Sequence, residues 1–378
     1  MKKLFLPVYF FTLFLFVIFS YLFTDQNLSY LHNIYTGLAA NSRTIATMTY
    51  VIFVLLFFVF YYLILKYQKS INIKKIILVT SGILFLAYPA ILSYDIFNYI
   101  ATSKVLFFYR ENPYILMPIE FVGDPLLIFT RAVNKVALYG PVWIKITGIS
   151  FILGFDNYVL TLFNFKLLVI LFYLGTIFLV SKISKNMKSV FLFALSPLII
   201  METLVSSHND IVMMFFALLS FYFLIKKRIF LSLIFIIASI LIKYSTIFLF
   251  PVFIYIILKT IRKESINWER VFFISALSMM LIFFLSFLRE EIYPWYAIWF
   301  LVFSYLIPQR RNLLYLSNAI SFGLLLSYAP FMFSGTYSGS TPLLKIILIF
   351  LPVLCLYLYL AVDRKFKFSK KLGTIKIS

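Results

Sequence analysis

The sequence predicts an all-α, polytopic integral membrane protein of about twelve transmembrane helices, and three observations predict it. Of 378 residues, 63% are hydrophobic and only 12% charged, with a mean hydropathy of +1.01; a soluble domain carries roughly 25% charged residues. Apolar runs of about 17 to 25 residues recur along the chain, long enough to cross a bilayer core. The basic residues fall in alternate loops between those runs. With 47 Phe and 27 Tyr against 11 Gly and 13 Pro, collagen-like and low-complexity classes fail as well.

In order, residues 1–75 hold two amino-terminal spans, near 6–23 and 47–65. The first follows Met1-Lys2-Lys3 and lacks an A-x-A cleavage site, which fits a retained signal anchor. A third span near 76–92 leads into a long loop, 93–157. Residues 158–362 supply the remaining spans, near 158–181, 189–205, 211–225, 271–288, 295–307, 312–333 and 343–362. The apolar stretch from Arg228 to Lys259 is too long for one crossing and reads as two short helices meeting at Lys243. Residues 363–378 form a basic tail.

The positive-inside rule then sets the topology. With both termini cytoplasmic, the inner loops collect Lys66, Lys69, Lys74, Lys75, Lys182, Lys185, Lys188, Lys226, Lys227, Arg228 and the tail, opposed there by Glu264, Glu269 and Asp363. The net charge of +21 is thus topological and requires no nucleic-acid partner. Keeping this parity makes Pro141 to Gly154 an interfacial or re-entrant helix on the outer face, with Trp143 and Lys145 at headgroup depth. Most acids, among them Asp95, Glu202 and Asp210, then lie on or near the extracytoplasmic side, where the active site is expected.

Several chemistries are absent. A lone Cys355 allows neither an internal disulfide nor a cysteine metal site, and two histidines, His32 and His208, cannot build HExxH. No GxGxxG or GxxxxGK[ST] phosphate cradle is present, so a soluble nucleotide donor is disfavoured.

The candidate site residues have two readings each. Asp95 emerges from the third span in SYDIFNY, where a carboxylate costs about 2.5 to 3.5 kcal/mol unless it is partnered; it is either functional or a loop or cap residue. His208, Asn209 and Asp210 end the fifth span and start the sixth. Asn209 or Asp210 can cap that helix; alternatively His208 and Asp210 bind sugar hydroxyls, or share a divalent cation with Asp95. Lys243 either snorkels or pairs with a phosphate at the membrane surface. Arg110, Arg131 and Lys135 add loop cations suited to a phosphate, while Asn112-Pro113-Tyr114 and Tyr139-Gly140-Pro141 are turn chemistry. In REEIYPWYAIWF, Arg289 and Glu291 precede Tyr293 and Trp295, which suit an interfacial belt or a platform for a sugar ring.

Taken in order, YDIFNYI, NPY, YGPVW, SPLIIMETLVSSHND, IKYS and YPWYAIW resemble the polyprenol-phosphate-mannose-dependent mannosyltransferases of the MptB type, within the GT-C membrane glycosyltransferases. The resemblance spans about residues 93 to 300. It implies a GT-C-like fold in the cell membrane, a polyprenyl-phosphate sugar donor, a glycan or glycolipid acceptor, and inversion at the sugar. Asp95 matches the catalytic base, His208, Asn209 and Asp210 the HND motif, and Lys243 the lysine near the donor phosphate; Arg110 or Arg289, as nearby cations, can add to the charge that Lys243 offers a leaving phosphate. The cofactor stays unknown, a divalent cation being one option. A secondary transporter or lipid flippase is the rival reading; it favours midplane charges and internal repeats, and no repeat is evident.

Overall fold

The computed structural model describes residues 5–23, 42–130, 132–288 and 291–374, with side chains followed as far as Val362. All regular structure among these residues is helical. In chain order the helices are α1 (Phe5–Ser20), α2 (Arg43–Lys66), α3 (Ile73–Phe85), α4 (Asp95–Phe107), α5 (Pro141–Ile152), α6 (Tyr158–Ser184), α7 (Met187–Ala194), α8 (Pro197–Ile200, continued by a π-turn Met201–Val205), α9 (Asp210–Ile225), α10 (Ile229–Ile240), α11 (Phe250–Ile261, preceded by a 3₁₀ segment Tyr244–Leu249), α12 (Trp268–Leu285), α13 (Ile298–Leu306), α14 (Arg311–Leu326), α15 (Ala329–Ser334) and α16 (Thr341–Thr374).

Six helical segments are long and apolar enough to cross a membrane: Arg43–Lys66, Tyr158–Ser184, Tyr244–Ile261, Trp268–Leu288, Arg311–Ser334 and Thr341–Val362. A seventh joins Met187–Ala194 to Pro197–Val205 through a 51° bend. A multi-pass membrane protein follows directly. The expected count of about twelve does not, because Phe5–Ser20, Asp210–Ile225, Ile229–Ile240 and Pro294–Leu306 are apolar but shorter. The reason is local. Helices α8, α9, α10 and α13 stop at the polar segments around Glu202, His208, Lys243 and Trp295, and broken helices are tolerated at membrane depth only where protein buries the interrupted backbone.

The bend between α7 and α8 shows how that backbone is satisfied. Pro197 has no N–H and cannot continue the ladder. The carbonyls of Leu192 and Ala194 instead accept from the buried hydroxyls of Tyr61, at 2.9 Å, and Tyr173. Elsewhere small residues bring backbones close. In α14, a Cβ on Gly323 would lie 2.4 Å from the Ile349 carbonyl oxygen of α16, so glycine sets that crossing distance.

One expectation is corrected in α5. Pro141 does begin the helix at its first position, and Lys145 is exposed. Trp143, however, is 1% exposed and packs edge-on against Tyr99 of α4 with centroids 5.1 Å apart. It is a core residue, because α5 lies against α4 and α6 and that face must be filled.

A second buried cation escaped sequence reading altogether. Lys166, in the middle of α6, is fully buried, and its Nζ donates to the carbonyls of Leu84, at 3.2 Å, and Ala87. These carbonyls end α3, where unsatisfied oxygens and the helix dipole favour a cation. Lys166→Ala is expected to cost about 2 to 5 kcal/mol through the cavity and the abandoned carbonyls. A thermal unfolding midpoint in detergent equal to that of the wild type would refute the role.

Candidate functional site

The site forms where the cut-short helices meet. Asp95 is the first residue of α4, where a carboxylate suits the helix dipole, and its N–H donates to Ser93 Oγ at 3.2 Å. Its side chain is 26% exposed and turns one oxygen, Oδ2, toward His208 Nδ1 at 3.5 Å. On the other side of the ring, Nε2 faces Glu202 Oε2 at 3.3 Å, and both His208 and Glu202 are fully buried. Neither contact has good hydrogen-bond geometry, so both are described as ion-pair distances. The imidazole plane is fixed by Trp295, stacked at 4.0 Å and 14°, and Trp295 in turn stacks on Tyr293 at 4.6 Å and 10°.

His208 lies in the loop between α8 and α9. Burial acts against its charged form, but the two carboxylates outweigh that cost and push its pKa up to about 9. An imidazolium flanked in this way is fully charged below the ordinary histidine range. The stabilising contribution is lost as pH rises through the elevated value.

A second group lies one residue further on. Asp210 is fully buried and accepts from Lys243 Nζ through both oxygens, at 2.9 and 3.2 Å, and from Trp299 Nε1 at 2.5 Å. Lys243 also lies over the ring of Tyr296, 4.2 Å from its centroid, and Tyr296 stacks on Trp299 at 4.3 Å. The lysine therefore neither snorkels outward nor faces lipid. Its side chain is 21% exposed. The segment Tyr293–Trp299 thus walls both groups, Trp295 on the imidazole and Tyr296 with Trp299 on the lysine. The platform expected for a sugar ring is committed at Trp295 to stacking on His208.

The capping expectation fails. Asn209 is the cap residue of α9 but makes no side-chain capping bond. Its Oδ1 accepts from Tyr99 OH at 3.3 Å, and the Asp210 carboxylate is taken by Lys243. Around them Ser206 Oγ, Ser207 Oγ and Asn209 Nδ2 are buried with no hydrogen-bond partner, and Ser207 has a φ of +59°, a left-handed conformation costly for a non-glycine residue. Strain and unpartnered polar atoms thus coincide in one buried turn, beside His208 and Asp210.

The turn motifs of the loop 93–157 hold the chain beside Lys243. Tyr114 OH donates to the Tyr139 carbonyl at 2.8 Å, and Ala137 N–H to that of Pro113 at 2.7 Å, tying NPY to YGP. Gly140 and Val142 then donate their N–H groups to Ile242 and Leu241, each at 3.0 Å, gripping the chain just before Lys243. A Cβ on Gly140 would sit 2.1 Å from Leu241 O. Only glycine permits that approach.

Other predicted residues stand apart. Arg110 is exposed with a φ of +60° on the loop after α4. Glu291 pairs with Lys345. Arg289, like Arg131, lies outside the described residues. Sequence reading assigned no role to Tyr99, Trp299 or Tyr328, and read Tyr296 only within the aromatic stretch that begins at Tyr293. Tyr99 could have been found, since it follows Asp95 by four positions and shares its helix face. Among the described residues no three His, Cys, Asp or Glu side chains are grouped to hold a metal ion, and the ammonium on Asp210 takes the oxygens a cation would need.

Fold and site together define a multi-pass, all-α membrane protein with a carboxylate, imidazole and lysine cluster among its broken helices. Residues 20–259 match the family model described as alpha-(1->6)-mannopyranosyltransferase, N-terminal domain, and the chain belongs to this MptA/B family of mannosyltransferases. The match takes in Asp95, Glu202, His208 to Asp210 and Lys243, and ends before Tyr293. It supports a glycosyltransferase-type enzyme at family level, not the MptB type in particular. Searches of curated proteins and of solved structures gave no match.

Proposed function

We propose that this protein transfers mannose from a polyprenyl-phosphate donor to a glycan or glycolipid acceptor on the extracytoplasmic side of the cell membrane, with inversion. The observation that carries this reading is the unequal exposure of the carboxylates: Glu202 and Asp210 are sealed, while Asp95 is 26% exposed and held toward an imidazole. Asp95 is the base. The acceptor hydroxyl passes its proton to Asp95 as its oxygen bonds to the anomeric carbon, and the anomeric bond to phosphate breaks, its electron pair leaving with the phosphate oxygen.

Lys243 stabilises that departing charge. An ammonium has three N–H donors; Asp210 takes two directions, leaving one for a phosphate oxygen at the exposed edge. The ion pair lowers the net charge the lysine offers, so the interaction is one of orientation as much as of attraction. Arg110 and Arg289 are assigned to steering the phosphate group. Tyr293 is placed at the acceptor or sugar; His208, Asn209 and Trp295 are buried and act only through Asp95 and its surroundings, and Glu291 is taken up by Lys345. Twelve spans with both termini cytoplasmic follow if the shorter apolar helices α1, α9, α10 and Pro294–Leu306 cross together with α3. No step needs a metal.

The test is transfer of labelled mannose from polyprenyl-phosphate mannose to octyl α-mannoside in reconstituted vesicles. Asp95→Asn is expected to lower kcat by about 10²- to 10⁴-fold, the usual worth of general-base assistance. Full activity in a folded Asp95→Asn protein overturns the assignment, as does movement of donor across the vesicle without any glycosidic product.

A further inference from the structure

We propose that Glu202 is a positioning residue for the transfer reaction, acting through His208 to hold and electrically balance the imidazole that faces Asp95. The proposal rests on the reading of Asp95 as base and adds a residue to which no role in that chemistry was given. Its footing is geometric. Glu202 sits in the π-turn that ends α8, a local widening common at functional sites, and its side chain is fully buried. An acid at that depth is retained at a cost unless it has a partner.

Two contacts join it to His208 and a third, to Tyr328, holds it in place. The carboxylate Oε2 faces Nε2 at 3.3 Å. The His208 N–H donates to the Glu202 carbonyl at 2.9 Å, a chain reversal made possible by the left-handed Ser207. The other carboxylate oxygen, Oε1, accepts from Tyr328 OH at 3.0 Å, which anchors Glu202 to the far wall. The groups facing the imidazole are then Asp95 from α4, Glu202 from α8 and the neutral ring of Trp295. Glu202 cannot touch substrate, because only Asp95 of the three ionisable groups reaches the open side.

A neutral imidazole carries one N–H and cannot donate to two carboxylates at once; the charged form can. While Asp95 is ionised, the triad has two negative charges about one positive. When Asp95 takes the acceptor's proton its charge vanishes, and a buried imidazolium would stand alone without Glu202. Glu202 and His208 exchange no atom in the step. They keep the charge compensated at the moment the base is neutralised.

The experiment measures kcat, KM and the pH profile of transfer from polyprenyl-phosphate mannose to octyl α-mannoside by the full-length protein in vesicles. Glu202→Gln is expected to lower kcat about 10- to 100-fold, to leave both KM values within about twofold, and to move the alkaline limb to lower pH as His208 loses one carboxylate. Glu202→Asp is expected to recover part of kcat. If Glu202→Gln does not fold, Tyr328→Phe serves instead: without the hydroxyl, the Glu202 charge falls wholly on His208, and the alkaline limb moves to higher pH. An unchanged kcat and alkaline limb in Glu202→Gln, or an unmoved limb in Tyr328→Phe, overturns the proposal. If Asp95→Asn is inactive while Glu202→Gln is normal, only this inference fails; if Asp95→Asn is active, the reading beneath it fails first.

Discussion

Asp210→Ala is expected to abolish measurable transfer and to lower stability by about 3 to 5 kcal/mol, the usual cost of leaving a buried charge unpaired. Asp210 is fully buried and receives Lys243 through both oxygens and Trp299 through Nε1. Removing it strands an ammonium among Tyr296, Trp299 and the apolar ends of two helices, and leaves an indole N–H without its acceptor. Because Lys243 is only 21% exposed, water compensates it poorly. The double variant Asp210→Ala with Lys243→Met removes both charges and is expected to regain most of the unfolding midpoint while staying inactive. Recovery of stability without activity separates the structural part of the pair from its part in catalysis. A single Asp210→Ala variant that unfolds at the wild-type temperature would show that the pair contributes nothing, contrary to its burial.

Gly140→Ala is expected to reduce transfer by about 10²-fold or more, though Gly140 touches neither Asp95 nor Lys243. The added Cβ would fall 2.1 Å from the Leu241 carbonyl oxygen and 2.5 Å from its carbon. Both are backbone atoms, so no rotamer change relieves the overlap. The two strands of chain must separate by about an ångström, breaking the hydrogen bonds from Gly140 and Val142 to Ile242 and Leu241. Lys243 follows directly, and a 1 Å misplacement of a catalytic group costs on the order of 10²-fold. The control is Gly82→Ala in α3, where a Cβ meets nothing within 4 Å; it is expected to be neutral or slightly stabilising. Equal activity of the two variants would refute the docking role.

Much of the site was legible because polar residues are conspicuous in an apolar chain. Asp95, His208 to Asp210, Lys243 and Trp295 each stand out against the cost of placing them in or near hydrocarbon, and the structure gathers all of them. Their pairing was not legible. Nothing in spacing joins Lys243 to Asp210, since that contact depends on how separate helices cross, and Glu202 meets His208 only through the reversal at the left-handed Ser207. Trp295 read as a surface platform because aromatic belts and packed rings share one composition. Arg110 and Glu291 were legible only as charges, and charges on exposed loops give no signal of their partners.

Composition and hydropathy alone determine that this chain is helical and crosses a membrane several times, because a bilayer leaves the backbone few other ways to satisfy its hydrogen bonds. The charge asymmetry of +21 sets an expected orientation by the same local logic. What the tertiary structure decided is which polar groups meet. Helices α8, α9, α10 and α13 stop short and turn their ends toward one another, so an acid from α4 faces a histidine between α8 and α9, and an aspartate from α9 binds a lysine beyond α10. The physical reason is range: the hydrophobic pattern that makes a helix is written within about twenty residues, whereas the chain just before Lys243 is held by Gly140, about a hundred residues earlier.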